Sequence, residues 1–156
     1  MRCAVPLSLV AALVLCACAT PDPAAAPPSD GMAWRLTPAA DGDEAKLAYG
    51  VPDTDDVVLM LACRPGSGAV QVTTTAPTAP ARLTLRSGSA VSSLPIQSEP
   101  AEIQSGVLVE AATTVADPAL AAFARTGALS FDLGGRATAL AAAPDQARRF
   151  VATCAG

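Results

Sequence analysis

Histidine is absent from the 156 residues. With it go the Ser-His-Asp and Cys-His catalytic arrangements, histidine zinc sites, and the side chain that shuttles protons near neutral pH. Lysine occurs once, at Lys46, and no Ser-x-x-Lys pattern surrounds it, so a Ser–Lys dyad has no foundation. Aromatics are scarce: Trp34, Tyr49, Phe123, Phe131 and Phe150. Three of these fall at core positions, which leaves little for the stacking platforms of a sugar-cleaving cleft. Ten basic residues face fourteen acidic ones, a formal charge of −4, and no basic face for nucleic acid emerges. What the chain holds in quantity is proline and glycine, 14 and 11, enough for many turns and one unstructured stretch.

The N-terminus carries the strongest positive signal. Arg2 supplies a short basic start, and Ala4 to Leu15 is a charge-free apolar run. That length suits a secretory signal but falls short of the roughly twenty residues that span a bilayer. Leu15-Cys16-Ala17-Cys18 then resembles a bacterial lipobox, with an aliphatic residue three before the acylated cysteine and a small one before it. A frame ending at Cys16 would put bulky Leu15 at the small position, so Cys18 fits better. The alternative is an ordinary secretory signal that leaves a free thiol. The resemblance implies residues 1–17 as signal peptide and Cys18 as the lipidated, palmitate-type N-terminus. Three acyl chains exceed the two signals that stable anchoring needs. Ala19, where the inner-membrane retention signal would be Asp, implies the periplasmic face of the outer membrane. Residues 18–31 form the tether: ATPDPAAAPPSDG after the cysteine has four prolines and no bulky apolar side chain. It would reach roughly 40 Å as polyproline II, at about 3.1 Å per residue. Removal of Arg2 leaves nine basic against fourteen acidic residues, or −5. The anchored domain should therefore stand away from an anionic surface.

Residues 32–156 suffice for one core. Strands are predicted over 33–37, 46–49, 56–63, 69–75 and 82–86, with weaker ones over 91–96 and 106–114. The segment 56–63 is nearly continuously apolar, as suits a central strand buried on both faces. Arg64-Pro65-Gly66-Ser67-Gly68 is turn chemistry that joins it to 69–75 as a hairpin. In 82–86, Leu83 and Leu85 alternate inward and the arginines outward. A short helix starts at Asp117-Pro118 and exits at Gly127. Residues 128–132 alternate again before Gly134-Gly135. Pro144 to Cys154 places Ala147, Phe150, Val151 and Cys154 on one stripe of a helix. The fold class is therefore mainly β (α+β), an antiparallel sheet or small β-sandwich with a short helix and a C-terminal helix packed on it.

Of five cysteines, Cys3 and Cys16 leave with the signal and Cys18 is acylated. Cys63 and Cys154 remain, and in an oxidising periplasm an isolated pair is expected to form a disulfide. Two separate buried thiols or a redox-active pair are the competing readings, the latter without a CxxC motif. The densest acidic region is Asp41, Asp43, Glu44, Asp53, Asp55 and Asp56. It lacks the spacing and terminal glutamate of an EF-hand, so solvated turns account for it better than calcium. No cofactor or metal is expected.

Ala-Tyr-Gly-Val-Pro (48–52), Asp55-Asp56, Leu-Ala-Cys (61–63), Gly-Ser-Gly (66–68), 123–127, 129–131 and Arg-Phe-Val-Ala-Thr-Cys (149–154) together resemble uncharacterised bacterial periplasmic lipoproteins. That resemblance implies a β-rich domain bracketed by a strand cysteine and a C-terminal helix cysteine. It implies no activity. The functional expectation is a non-enzymatic lipoprotein, lipid-anchored in the outer membrane, whose domain binds or scaffolds an envelope protein or cell-wall component. Trp34, Tyr49 and Arg64 are the candidates for its binding surface. Two alternatives stand beside it: an inhibitor of lysozyme or a periplasmic protease, presenting Arg64 to Gly68, and a hydrolase built on paired carboxylates.

Overall fold

A computed structural model describes residues 31–40, 42–102 and 105–156. The signal segment, Cys18, nearly all of the tether, and Asp41 lie outside the described residues. Strand-rich sequence gives ten strands among those described: β1 (Ala33–Thr37), β2 (Ala45–Gly50), β3 (Val57–Cys63), β4 (Ala69–Ala76), β5 (Leu83–Ser87), β6 (Ala90–Leu94), β7 (Gln97–Pro100), β8 (Val107–Thr114), β9 (Ser130–Leu133) and β10 (Arg136–Ala139). Two helices, α1 (Pro118–Thr126) and α2 (Pro144–Ala155), complete the order. All strand pairs are antiparallel. One sheet runs β1-β2-β3-β4-β8-β7 and the other β10-β9-β5-β6. The β-rich α+β class expected from the sequence is the observed one.

Alternation decides which side chains enter the core. Across the six-stranded sheet, Leu47, Leu61 and Val72 stand opposite one another, and so do Tyr49 and Leu59. All five are buried, and Leu83 and Leu85 of β5 meet them from the second sheet within one cluster. Phe123 of α1 and Phe150 of α2 fill the same core from the helical layer. Fully burying each such side chain stabilises by about 1.5–3 kcal/mol.

Local chemistry sets the helix ends. Asp117 caps α1 by accepting from the Ala119 and Leu120 amides at 2.9 and 3.2 Å, and Pro118 occupies the first turn, where no intrahelical N–H is needed. Gly127 closes α1 at φ +69°, a left-handed conformation that favours glycine. In α2 the apolar positions Ala147, Phe150 and Cys154 are buried, as their spacing requires.

Three expectations are revised. The strand read over 91–96 is cut at Pro95: β6 pairs with β5 in the small sheet, whereas β7 pairs with β8 in the large one. The chain changes sheet there, and proline has no N–H to continue a ladder. Strand β3 is central as expected but is not buried on both faces. Leu59, Leu61 and Cys63 are buried on the inner side, while on the outer side Ala62 is buried but Val58 and Met60 are only half-buried. Finally β10, for which the sequence carries no strand signal, forms because the Gly134-Gly135 turn folds 136–139 back on β9.

Candidate functional site

Trp34 and Tyr49 are core residues, not a binding surface. Strand register sets them directly opposite on β1 and β2, facing inward, with 6% and 1% of their surface exposed. Their ring centroids lie 5.3 Å apart, edge to face, and Trp34 also meets Phe123 at 5.4 Å. The indole N–H donates to the Ala141 carbonyl at 2.7 Å. The Tyr49 hydroxyl is buried and, among the described residues, has no hydrogen-bond partner. Alternation along short strands could not separate a half-exposed aromatic from a core one; the packing of α1 and α2 on β1 and β2 buries both.

Arg64 is exposed, at the β3–β4 turn, and borders a pocket of about 480 Å³ with Asp43, Glu44 and Lys46. It is not brought together with the two aromatics in one site. The turn it starts is anchored: Gly66 donates to the Thr153 carbonyl at 3.0 Å and Gly68 to the Cys154 carbonyl at 2.8 Å. Terminal carbonyls of a helix lack intrahelical partners, so these two amides complete the end of α2. Beside them Cys63 and Cys154 form a disulfide, with α-carbons 5.7 Å apart. The turn is thereby tied to α2 by one covalent and two hydrogen-bonded links.

Of the acidic group, Asp53 sits in the β2–β3 turn at φ +61° and pairs with Arg35 at 3.2 Å, both well exposed. An exposed pair of this kind contributes little to stability. No three Cys, Asp or Glu side chains gather where they could hold a metal ion among the described residues.

Two larger depressions are present. One, of about 920 Å³, runs along the edge strand β1 beside α2 and is lined in part by Arg35, Leu36, Gln146 and Arg149. There the Gln146 side-chain amide donates to the Trp34 carbonyl at 2.9 Å, so α2 occupies part of the sheet edge. The other, of about 600 Å³, opens between the two sheets at the end where β3 begins and β9 turns into β10. Val57, Thr74 and Ala76 line it from the large sheet, and Phe131, Leu133, Arg136 and Thr138 from the small one. Val57 is 38% exposed there, an unusual state for a large apolar strand residue in this domain. The cleft falls in the size range of small-molecule sites and mixes apolar walls with a few polar groups. No local sequence pattern marks it, because its two walls come from residues 57–76 and 131–138, far apart in the chain.

No family model, no curated protein and no solved structure matches this chain. Among the described residues, no helix is long and apolar enough to cross a membrane.

Proposed function

We propose that the protein is an outer-membrane lipoprotein, acylated at Cys18 and held by residues 18–31, whose β-rich domain works by binding an envelope protein or cell-wall component and not by catalysis. The observation that carries this reading is the Cys63–Cys154 disulfide of the domain, which persists in an oxidising compartment and not in a reducing cytosol. It agrees with an export segment that ends in Leu15-Cys16-Ala17-Cys18. The inter-sheet cleft offers a place to bind. The test is mass spectrometry of the processed protein with envelope fractionation. Expected are a diacylglyceryl thioether and an N-acyl group on Cys18, and loss of membrane association in Cys18→Ser. An N-terminus without acyl mass would defeat the proposal.

A second reading, an inhibitor of lysozyme or a periplasmic protease, is favoured by one feature. The exposed turn Arg64 to Gly68 is held by α2 and the neighbouring disulfide, and a pre-ordered loop loses little entropy on entering an enzyme cleft. Inhibition assays with the purified protein separate the two. Saturable inhibition abolished by Arg64→Ala selects the inhibitor.

A further inference from the structure

Cross-strand partners share a face, so the inner rows of the small sheet can be read from its register. One row is Leu94, Leu83, Leu133 and Arg136; the next is Ser92, Leu85, Phe131 and Thr138. Leu83 and Leu85 are fully buried, which identifies the face as the inward one. Arg136 is the only charged residue in these two rows. It stands at the edge strand β10, on the rim of the inter-sheet cleft, and among the described residues it has no ion-pair partner. Thr138 is on the same face two residues further along. Facing them across the cleft is the half-exposed Val57, with Leu133 and Phe131 forming the apolar wall.

We propose that this cleft binds an amphipathic monocarboxylate, with the carboxylate on the Arg136 guanidinium and the apolar body between Val57 and Leu133. The proposal rests on the binding-domain reading above and names its ligand class. An arginine fork matches a carboxylate in two parallel hydrogen bonds, and the Thr138 hydroxyl lies on the same face to donate another. The cleft is large enough for the body of such a molecule. A single negative charge is favoured over a phosphate ester because Asp56 also lines the cleft and the processed chain carries −5, which repel a dianion more strongly. The contrary account is that Arg136 only guards the edge: an inward charge on an edge strand discourages pairing with a second sheet. That account requires no preference between an acid and its amide.

The test titrates the full chain, in nonionic detergent with a detergent-only blank, with 2-naphthoate and separately with 2-naphthamide. Expected is saturable binding of the acid, at least about tenfold tighter than of the amide, with Arg136→Gln erasing that difference and Arg136→Lys recovering part of it. Trp34 fluorescence, from a buried indole, checks that each variant is folded. Should Arg136→Gln not fold, Val57→Glu serves instead: it sets a negative charge at the mouth and should weaken the acid more than the amide. Equal affinity for acid and amide, unchanged acid binding in Arg136→Gln, or no saturable binding of the acid each overturns the proposal. Self-association of Arg136→Gln, together with equal affinity of the unaltered protein for acid and amide, does so in favour of the edge-guard account. Acylation of Cys18 is measured independently, so failure here leaves the anchoring reading standing.

Discussion

Gly127 and Pro144 touch where the two helices meet. A Cβ on Gly127 would overlap the backbone nitrogen of Pro144, and the Ala143 amide donates to the Gly127 carbonyl at 3.0 Å. The end of α1 and the start of α2 are thus fitted around a missing side chain. Glycine there serves two needs at once, the left-handed φ of +69° and the close approach.

Gly127→Ala should therefore cost more than left-handed strain alone. Strain of about 1–2 kcal/mol and overpacking of about 1–3 kcal/mol act together, and denaturant unfolding should show a loss of at least about 2 kcal/mol. Gly134→Ala is the comparison: its φ is +63° but no atom stands within 4 Å of its added Cβ, so only the strain should register.

The Cys63–Cys154 link closes 91 residues of chain. In the chain-entropy model a loop of this size stabilises by roughly 4–5 kcal/mol. The Cys63→Ala/Cys154→Ala double variant should unfold at markedly lower denaturant than the oxidised protein, and reduction should produce a similar shift in the unaltered protein. An unchanged midpoint on reduction would show that the bond adds nothing to stability.

Tyr49 invites the opposite kind of change. Its ring is packed against Trp34, but its buried hydroxyl has no partner among the described residues. A buried polar group without a hydrogen bond costs about 1–3 kcal/mol, whereas truncation of a packed ring costs about 3–5 kcal/mol. Tyr49→Phe should be neutral or raise the thermal midpoint, and Tyr49→Ala should lower it sharply.

Asp117 joins α1 to β6. Its Oδ1 accepts from the Ala119 and Leu120 amides and from the Ser92 hydroxyl of β6, the last at 2.6 Å. Asp117→Ala should cost about 1–2 kcal/mol as a lost cap, and more if Ser92 is left unsatisfied. Pairing it with Ser92→Ala tests the coupling: the double variant should lose less than the sum of the singles.

The expected strand and helix assignments came from local patterns, and where those patterns were strong the structure agrees. Strand β1 and helix α2 lie within a residue of the segments read from alternation and from the stripe Ala147, Phe150, Val151, Cys154. Over 91–96 the local pattern suggests one weak strand, but Pro95 marks a crossing between sheets, an event with no local period. The candidate surface suffered in the same way. Trp34 and Tyr49 lie on one face of one hairpin, and nothing in the hairpin says whether helices will cover that face.

Residue order alone was enough for most element types, β7 and β10 apart, for the capping of α1 by Asp117 and Gly127, and for the expected pairing of Cys63 with Cys154. Each of these depends on neighbours within a few positions or on counting. Folding in three dimensions decided the rest: which sheet each strand joined, that the two aromatics became core, and that Arg136 came to share a cleft with Val57. Those outcomes depend on register and layer packing between segments tens of residues apart, and short-range chemistry does not specify such distances.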